Sequence, residues 1–482
     1  MSALGTKTIN SVFWVACERF GALFVQFCVT LVLARLLSPE DYGLLGMLAL
    51  FTAVGTVFVD SGFNQALIRK EYVSNSDYST VFYTNVILGV CIYLLLFFLS
   101  PYIALFYNIP ELEALSKTLF IMFPICALGI VQETVLIRAC KFKSIALIAF
   151  ISAIISGFVG IFSALNGYGV WALVYQQLSL YISRNVLLWS IAHWKPHYTF
   201  CVKTLRELSN FSLSLLSIGF INNIFNHIYT LIIGKYFAVQ EAGFYNQARL
   251  LEETPATLVA GVVHRATYPI LSQIQEDNNR LKAGYKRIIS MTMFVSLPIL
   301  AGMLAMADNL FIVLFSEKWL PSVPIFRILC IYGILYPLHV INTNILRVKG
   351  KGRLFLILEI IKKVLMVLGI VLTLSHGMLL LIWSSVGASI VAVFLNMYFC
   401  GRLINYSVKE QLLDLSKNCV VTVLMMFVVW CIGQIPQNVY ILFFLQIISG
   451  MLSYAALSYF FKLDSFEEYI LIVKNRFHGK KN

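Results

Sequence analysis

Charge is scarce in this chain. Only 12% of its 482 residues are Asp, Glu, Lys or Arg while 59% are hydrophobic, a balance foreign to soluble globular domains. The motifs of hydrolysis and group transfer are missing too. No Gly-x-x-x-x-Gly-Lys-Ser/Thr run is present to cradle the phosphates of ATP, and there is no His-Glu-x-x-His, Gly-x-Ser-x-Gly or Asp-x-Asp. The ten cysteines form no Cys-x-x-Cys pair and mostly sit inside apolar stretches. They read as small buried hydrophobes, not as a disulfide framework or zinc site. Polar loops on the side opposite the N-terminus reach roughly fifteen residues at most, too few to fold a glycosyltransferase or polymerase domain. No catalytic residue, metal ligand or cofactor site is therefore assigned.

Long hydrophobic runs, in contrast, are plentiful. Each approaches the ~20 residues that a helix needs to cross the hydrocarbon core of a bilayer. They fall at 10–34, 42–66, 80–107, 116–137, 144–165, 169–191, 209–234, 247–271, 287–307, 324–346, 354–374, 378–400, 417–434 and 439–460. The expectation is an all-α polytopic membrane protein with about fourteen spans. The first run is too long for the apolar region of a signal peptide and lacks a small-residue cleavage site, so it reads as a retained span.

The formal net charge is +13, but the basic residues sit in short runs between spans, where they set membrane orientation; no nucleic-acid partner is expected. Loops on the N-terminal side hold about 25 Lys and Arg, among them Arg69, Lys70, Arg138, Lys141, Lys143, Lys349 and Lys351. The other side holds about four: Arg35, Lys117, Lys235 and Lys318. Both termini are thus expected in the cytoplasm.

The chain also repeats itself. Shifted by 200 residues, Thr30–Leu44 overlies Thr230–Phe244 without a gap: Arg35 meets Lys235, Glu40 meets Gln240, Asp41 meets Glu241 and Gly43 meets Gly243. A later echo pairs LIRACKF (136–142) with ILRVKGK (345–351). Spans 1–6 and 7–12 therefore read as two pseudo-symmetric six-helix bundles in parallel topology, with two helices appended. The expected organisation is an N-terminal lobe at 1–192, a cytoplasmic linker at 193–208, a C-terminal lobe at 209–400, and two additional helices with a basic tail at 401–482.

Ionisable groups at membrane depth are costly, and those that persist face a cavity or a partner. Span 1 presents Glu18, Ala22, Gln26 and Thr30 at intervals of four, and span 2 presents Thr52, Thr56, Asp60 and Asn64 likewise. Span 7 carries Asn222, Asn226, His227 and Thr230; span 8 carries Arg249, Glu252, Glu253, His264 and Arg265. In span 11, Glu359 and Lys363 are spaced to neutralise each other, leaving Lys362 as a spare cation. Arg19, Arg249, Arg265 and Lys362, with Asn226, His227 and His264, are the candidate lining of a cavity for an anionic, phosphate-bearing substrate. Glu18, Asp60, Glu133, Glu252 and Glu359 are the candidates for a coupling ion. Polar glue between helices is the alternative reading of the Asn and Thr positions. Arg138, near a span end, is explained by snorkelling.

"ARLLSPEDYGLLGMLALF" (34–51), "VDSGFNQALIRK" (59–70) and "NGYGVWALVYQQL" (166–178) resemble polysaccharide flippases of the MOP superfamily, in particular the Wzx-type branch of colanic and teichuronic acid exporters. The resemblance thins over 417–482. It implies two bundles around a central cavity and rocker-switch alternating access in the bacterial cytoplasmic (inner) membrane. The implied substrate is an undecaprenyl-diphosphate-linked oligosaccharide, moved to the periplasmic leaflet and handed to polymerase and other polysaccharide-assembly proteins. The nearest rival is a MATE-type drug exporter of the same superfamily, for which a carboxylate-lined cavity is expected. A membrane glycan polymerase or ligase is the rival from another class.

Overall fold

The computed structural model describes residues 21–478, and every regular element among them is helical. The helices are α1 (Gly21–Leu36), α2 (Pro39–Met47), α3 (Ala49–Asp60), α4 (Phe63–Arg69), α5 (Asn75–Tyr107), α6 (Glu111–Leu119) and α7 (Met122–Arg138). There follow α8 (Phe142–Leu165), α9 (Val170–Ala192), α10 (Val202–Tyr236), α11 (Val239–Gln273), α12 (Asn278–Ala305) and α13 (Ala307–Phe315). The last are α14 (Ser322–Val348), α15 (Gly352–Thr373), α16 (Met378–Ile404), α17 (Val408–Gly433), α18 (Val439–Phe460) and α19 (Asp464–His478).

Nine of the described helical segments are long and apolar enough to cross a membrane, or ten if the bent pair 39–47 and 49–69 is one span. A helix lies over each of the fourteen expected positions, yet α1, α9, α11 and α15 do not meet that standard. The described part of α1 is short. The others are diluted by polar residues: Gln176, Gln177, Arg184 and Asn185 in α9; Arg249, Glu252 and Glu253 in α11; Glu359, Lys362 and Lys363 in α15. The expected count of fourteen is thus larger than apolar length alone supports.

Packing divides the chain into two compact units, residues 1–243 and 244–482. In the first, α5 packs on α7, α7 on α9 and α8 on α9, and α10 lies against α3, α4 and α5. In the second, α12 packs on α14, α14 on α16 and α15 on α16, with α17 against α12 and α18 against α17. The same order of helices therefore makes the same strongest contacts in both units. Interior prolines fall late in the equivalent helices α5 (Pro101) and α12 (Pro298), where loss of one N–H bends a helix without ending it.

The turns repeat more closely than the sequence does. After α7, the N–H of Lys141 bonds the carbonyl of Leu136 at 2.9 Å, Cys140 is left-handed (φ +53°), and Lys141 stands at φ −84°, ψ 51°. After α14, the N–H of Lys351 bonds the carbonyl of Leu346 at 2.9 Å, Gly350 is left-handed (φ +65°), and Lys351 has the same φ and ψ as Lys141. The true register of this echo is Cys140 on Gly350, one residue from the alignment of LIRACKF with ILRVKGK. Arginine matching drew the sequence alignment, whereas the helix-ending conformation of residue 140 or 350 fixes the fold.

Candidate functional site

The Ser-Pro-Glu-Asp run at 38–41 is a helix start. Ser38 caps α2 by accepting from the Asp41 N–H at 3.2 Å, and Asp41 Oδ2 accepts from the Ser38 N–H at 2.8 Å. Pro39 fills the first helical position, where no N–H is required. The counterpart 200 residues on makes half of this box: Glu241 Oε2 accepts from the Ala238 N–H at 3.2 Å, with no side-chain oxygen at 238 to answer. The two copies also touch, within residues 1–243. A methyl group built on Gly43 would overlap the carbonyl of Val239, and one built on Gly243 would overlap the carbonyl of Pro39. Gln240 donates to Glu40 Oε1 at 2.5 Å. Residues 39, 40 and 43 thus meet 239, 240 and 243 reciprocally.

Several candidate residues prove to be partnered. In the first unit Arg184 Nη2 of α9 bonds Glu133 Oε1 of α7 at 2.8 Å, and Asp60 lies close enough for its charge to act on Glu133. Thr30, Thr52 and Thr56 donate to backbone carbonyls of their own helices at 2.9, 2.9 and 2.7 Å. Arg138 does more than snorkel. Its Nη1 donates to the carbonyls of Leu67 (2.6 Å), Ile68 (3.2 Å) and Lys70 (2.6 Å), and its Nη2 to that of Glu71 (3.1 Å), closing the C-terminal end of α4. On α10, Asn226 is exposed while His227 is half-buried and engaged.

The non-helical stretch before α10 is pinned to the start of α5. Ser79 Oγ accepts from the His197 N–H and Thr80 Oγ1 from the Cys201 N–H, both at 2.9 Å. Thr204 Oγ1 donates to Asp77 Oδ1 at 2.7 Å, and Lys70 Nζ reaches Asp77 Oδ2 at 3.0 Å. Trp194 packs its ring on Tyr78 and Phe82.

In the second unit the expected pairing of α15 is corrected. Lys362 Nζ bonds Glu359 Oε1 at 2.7 Å, three residues away, so Lys362 is not a spare cation; Lys363 has an interaction of its own. On one helix face, i to i+3 and i to i+4 are equally reachable, and spacing alone does not choose between them. Arg249 Nε pairs with Glu253 Oε2 at 3.3 Å. Glu252, on the same turn, is buried. Glu18 and Arg19 lie outside the described residues, as do the side chains of His264 and Arg265.

A polar lattice that the sequence reading overlooked fills the centre of this unit. Tyr285 Oη of α12 donates to Asn342 Oδ1 of α14 at 2.5 Å, and Cys400 Sγ of α16 donates to the Asn342 carbonyl at 3.1 Å. His339 of α14 sits between Ser389 Oγ (2.9 Å from Nε2) and Asn396 Nδ2 (3.2 Å from Nδ1), both on α16. Lys362 is near enough for its charge to act on His339. The signal was present as uncharged polar residues, Asn342 and Asn396, inside apolar runs. A search for charge passes over them.

These geometries frame the comparisons with known proteins. The polysaccharide biosynthesis protein family matches residues 32–324. Teichuronic acid biosynthesis protein TuaB of Bacillus subtilis (strain 168) is 26% identical over 357 residues, covering 73% of this chain and 74% of that protein. Lipopolysaccharide biosynthesis protein WzxC of Escherichia coli (strain K12) is 25% identical, covering 69% of this chain and 68% of its own length. Among solved structures, lipid II flippase MurJ in an inward closed conformation shares the fold at a TM-score of 0.71 and 17% identity, over 94% of this chain and 99% of that one. The repeated helix order, the reciprocal glycine contact and the family match agree: this chain is a multi-pass membrane protein that belongs to the polysaccharide biosynthesis protein family.

Proposed function

We propose that the chain is a flippase that moves an undecaprenyl-diphosphate-linked oligosaccharide repeat from the cytoplasmic to the periplasmic leaflet for exopolysaccharide, O-antigen or capsule assembly. Family membership across 32–324 carries this reading, and a fold shared with a lipid II flippase is consistent with it. The protein would sit in the bacterial inner membrane with both termini in the cytoplasm, as a transporter and not an enzyme, supplying polymerase and assembly proteins with substrate. Its lobes, 1–192 and 209–400, would alternate access around the linker 193–208, driven by an ion gradient. Arg19, Arg249, Arg265 and Lys362, with Asn226, His227 and His264, are the residues proposed to meet the diphosphate-sugar head. Arg249 and Lys362 are each held by an acidic neighbour, so a phosphate reaching them exchanges one anion for another and never leaves a cation bare in low dielectric.

The test is complementation of a strain that lacks its exopolysaccharide flippase but keeps its glycosyltransferases. Restored polymer, with loss of lipid-linked repeats from the cytoplasmic leaflet, is the expected result. Membrane-inserted protein that restores no polymer while conferring resistance to organic cations would replace the flippase with a drug exporter.

A further inference from the structure

Among the described candidate carboxylates, Asp60 and Glu252 enter no ion pair; Asp60 is half-buried and Glu252 is buried. Glu133, Glu253 and Glu359 each face a basic partner, Arg184, Arg249 and Lys362. Glu252 does not. It is 4% exposed, and among the described residues its carboxylate accepts no hydrogen bond and enters no ion pair. Arg249 reaches it only through space, the Nε of that guanidinium being turned to Glu253.

The Glu252 carboxylate is instead pressed into a notch in α14. Gly333 lies against Oε1, and a methyl group at 333 would overlap that oxygen. Gly333 is the twelfth residue of α14, a helix long and apolar enough to cross a membrane. At ~1.5 Å per residue it lies about 16 Å along that helix, near the middle of a ~30 Å hydrocarbon core. Among the described residues, the ionisable groups around Glu252 are Tyr245, Arg249 and Glu253 on its own helix and Cys330 and Tyr336 on α14. Tyrosine and cysteine are neutral in their ordinary ranges, so Arg249 is the one cation of the set and Glu253 shares it. A bare carboxylate in such a place is costly, and the neutral carboxylic acid costs far less.

We propose that Glu252 is the proton-binding site that couples transport to the proton gradient. The proposal rests on the flippase reading and supplies the ion and the residue that reading leaves open. Glu252 is protonated while packed on Gly333. When α11 and α14 part and water enters, it releases that proton to the cytoplasm while the inner side is open, and it takes up another from the periplasm while the outer side is open, before the notch closes. One O–H bond breaks and one forms per cycle, and nothing is oxidised or reduced.

The test combines a chemical and a transport readout on the full-length chain. Dicyclohexylcarbodiimide adds to protonated carboxyls in apolar surroundings. In proteoliposomes it should modify Glu252, located by peptide mass spectrometry, at about pH 6 and progressively less towards about pH 9. In the complementation strain, E252Q should lower polymer export at least tenfold at unchanged membrane level and remove its dependence on external pH, while E252D keeps part of both. No adduct on Glu252 at any pH, or wild-type export with unchanged pH dependence in E252Q, overturns the proposal. A wild-type chain that is modified at Glu252 yet restores no polymer overturns the flippase reading and leaves the proton site supported. Should E252Q fail to reach the membrane, the pH profile of wild-type modification decides.

Discussion

At the scale of single residues, charge in this chain serves first as a structural tie. Arg138 donates to four backbone carbonyls at the end of α4, groups that no intrahelical N–H can satisfy. Replacing it with alanine should strand those carbonyls and cost about 2 kcal/mol, the range of hydrogen bonds to a charged donor. A lower melting temperature of the detergent-purified protein and faster amide exchange around 67–71 would register the loss. Lysine should recover less than half, since one ammonium cannot span the reach of a guanidinium fork. Cys140 makes the opposite case: it holds a left-handed conformation that its counterpart Gly350 adopts without strain. Cys140→Gly should therefore raise stability by up to about 1 kcal/mol, measurable as a higher melting temperature. The presence of these residues was legible in the sequence. Their partners were not, because Arg138 binds backbone some seventy positions away and backbone leaves no signature in side-chain patterning.

Among the helices, the caps were the most legible features. Ser38, Pro39 and Asp41 are residue types that favour a helix start, and the structure forms the complete box there. The second copy lacks one half of it because Ala238 has no hydroxyl. Ala238→Ser should supply that half, answering the Glu241 N–H and stabilising the start of α11 by about 0.5–1 kcal/mol, again read by thermal unfolding. Less legible was the fate of the segments that follow. The first copy breaks into α2, α3 and α4, with Leu48 between the first two and Ser61 and Gly62 left-handed between the last two, whereas α11 runs unbroken from Val239 to Gln273. Hydropathy sees both as one apolar run, since a broken helix and a straight one have the same composition. The lattice around Asn342 and His339 escaped for a related reason: two asparagines and a histidine in apolar runs look like isolated exceptions until packing brings α12, α14 and α16 together.

For the whole molecule, orientation is the property the sequence foretells most directly. From the excess of Lys and Arg around 138–143 and 347–353 we predict that the turn bearing Cys140 faces the cytoplasm. Cys140 is exposed, so a variant keeping it as the sole cysteine should resist a membrane-impermeant maleimide in intact cells and react after permeabilisation. Reaction in intact cells would reverse the topology. The glycine contact between the two copies has a consequence of another kind. Residue 43 meets residue 239 and residue 243 meets residue 39, while 40 meets its own equivalent, 240. Such reciprocity is the signature of an interface between two identical subunits related by a twofold axis. Within residues 1–243 the chain thus carries, at this one crossing, an internal contact with the symmetry of a homodimer interface. Two bare backbones are required at the crossing, so a side chain at either position 43 or 243 would push the pair apart from both directions at once.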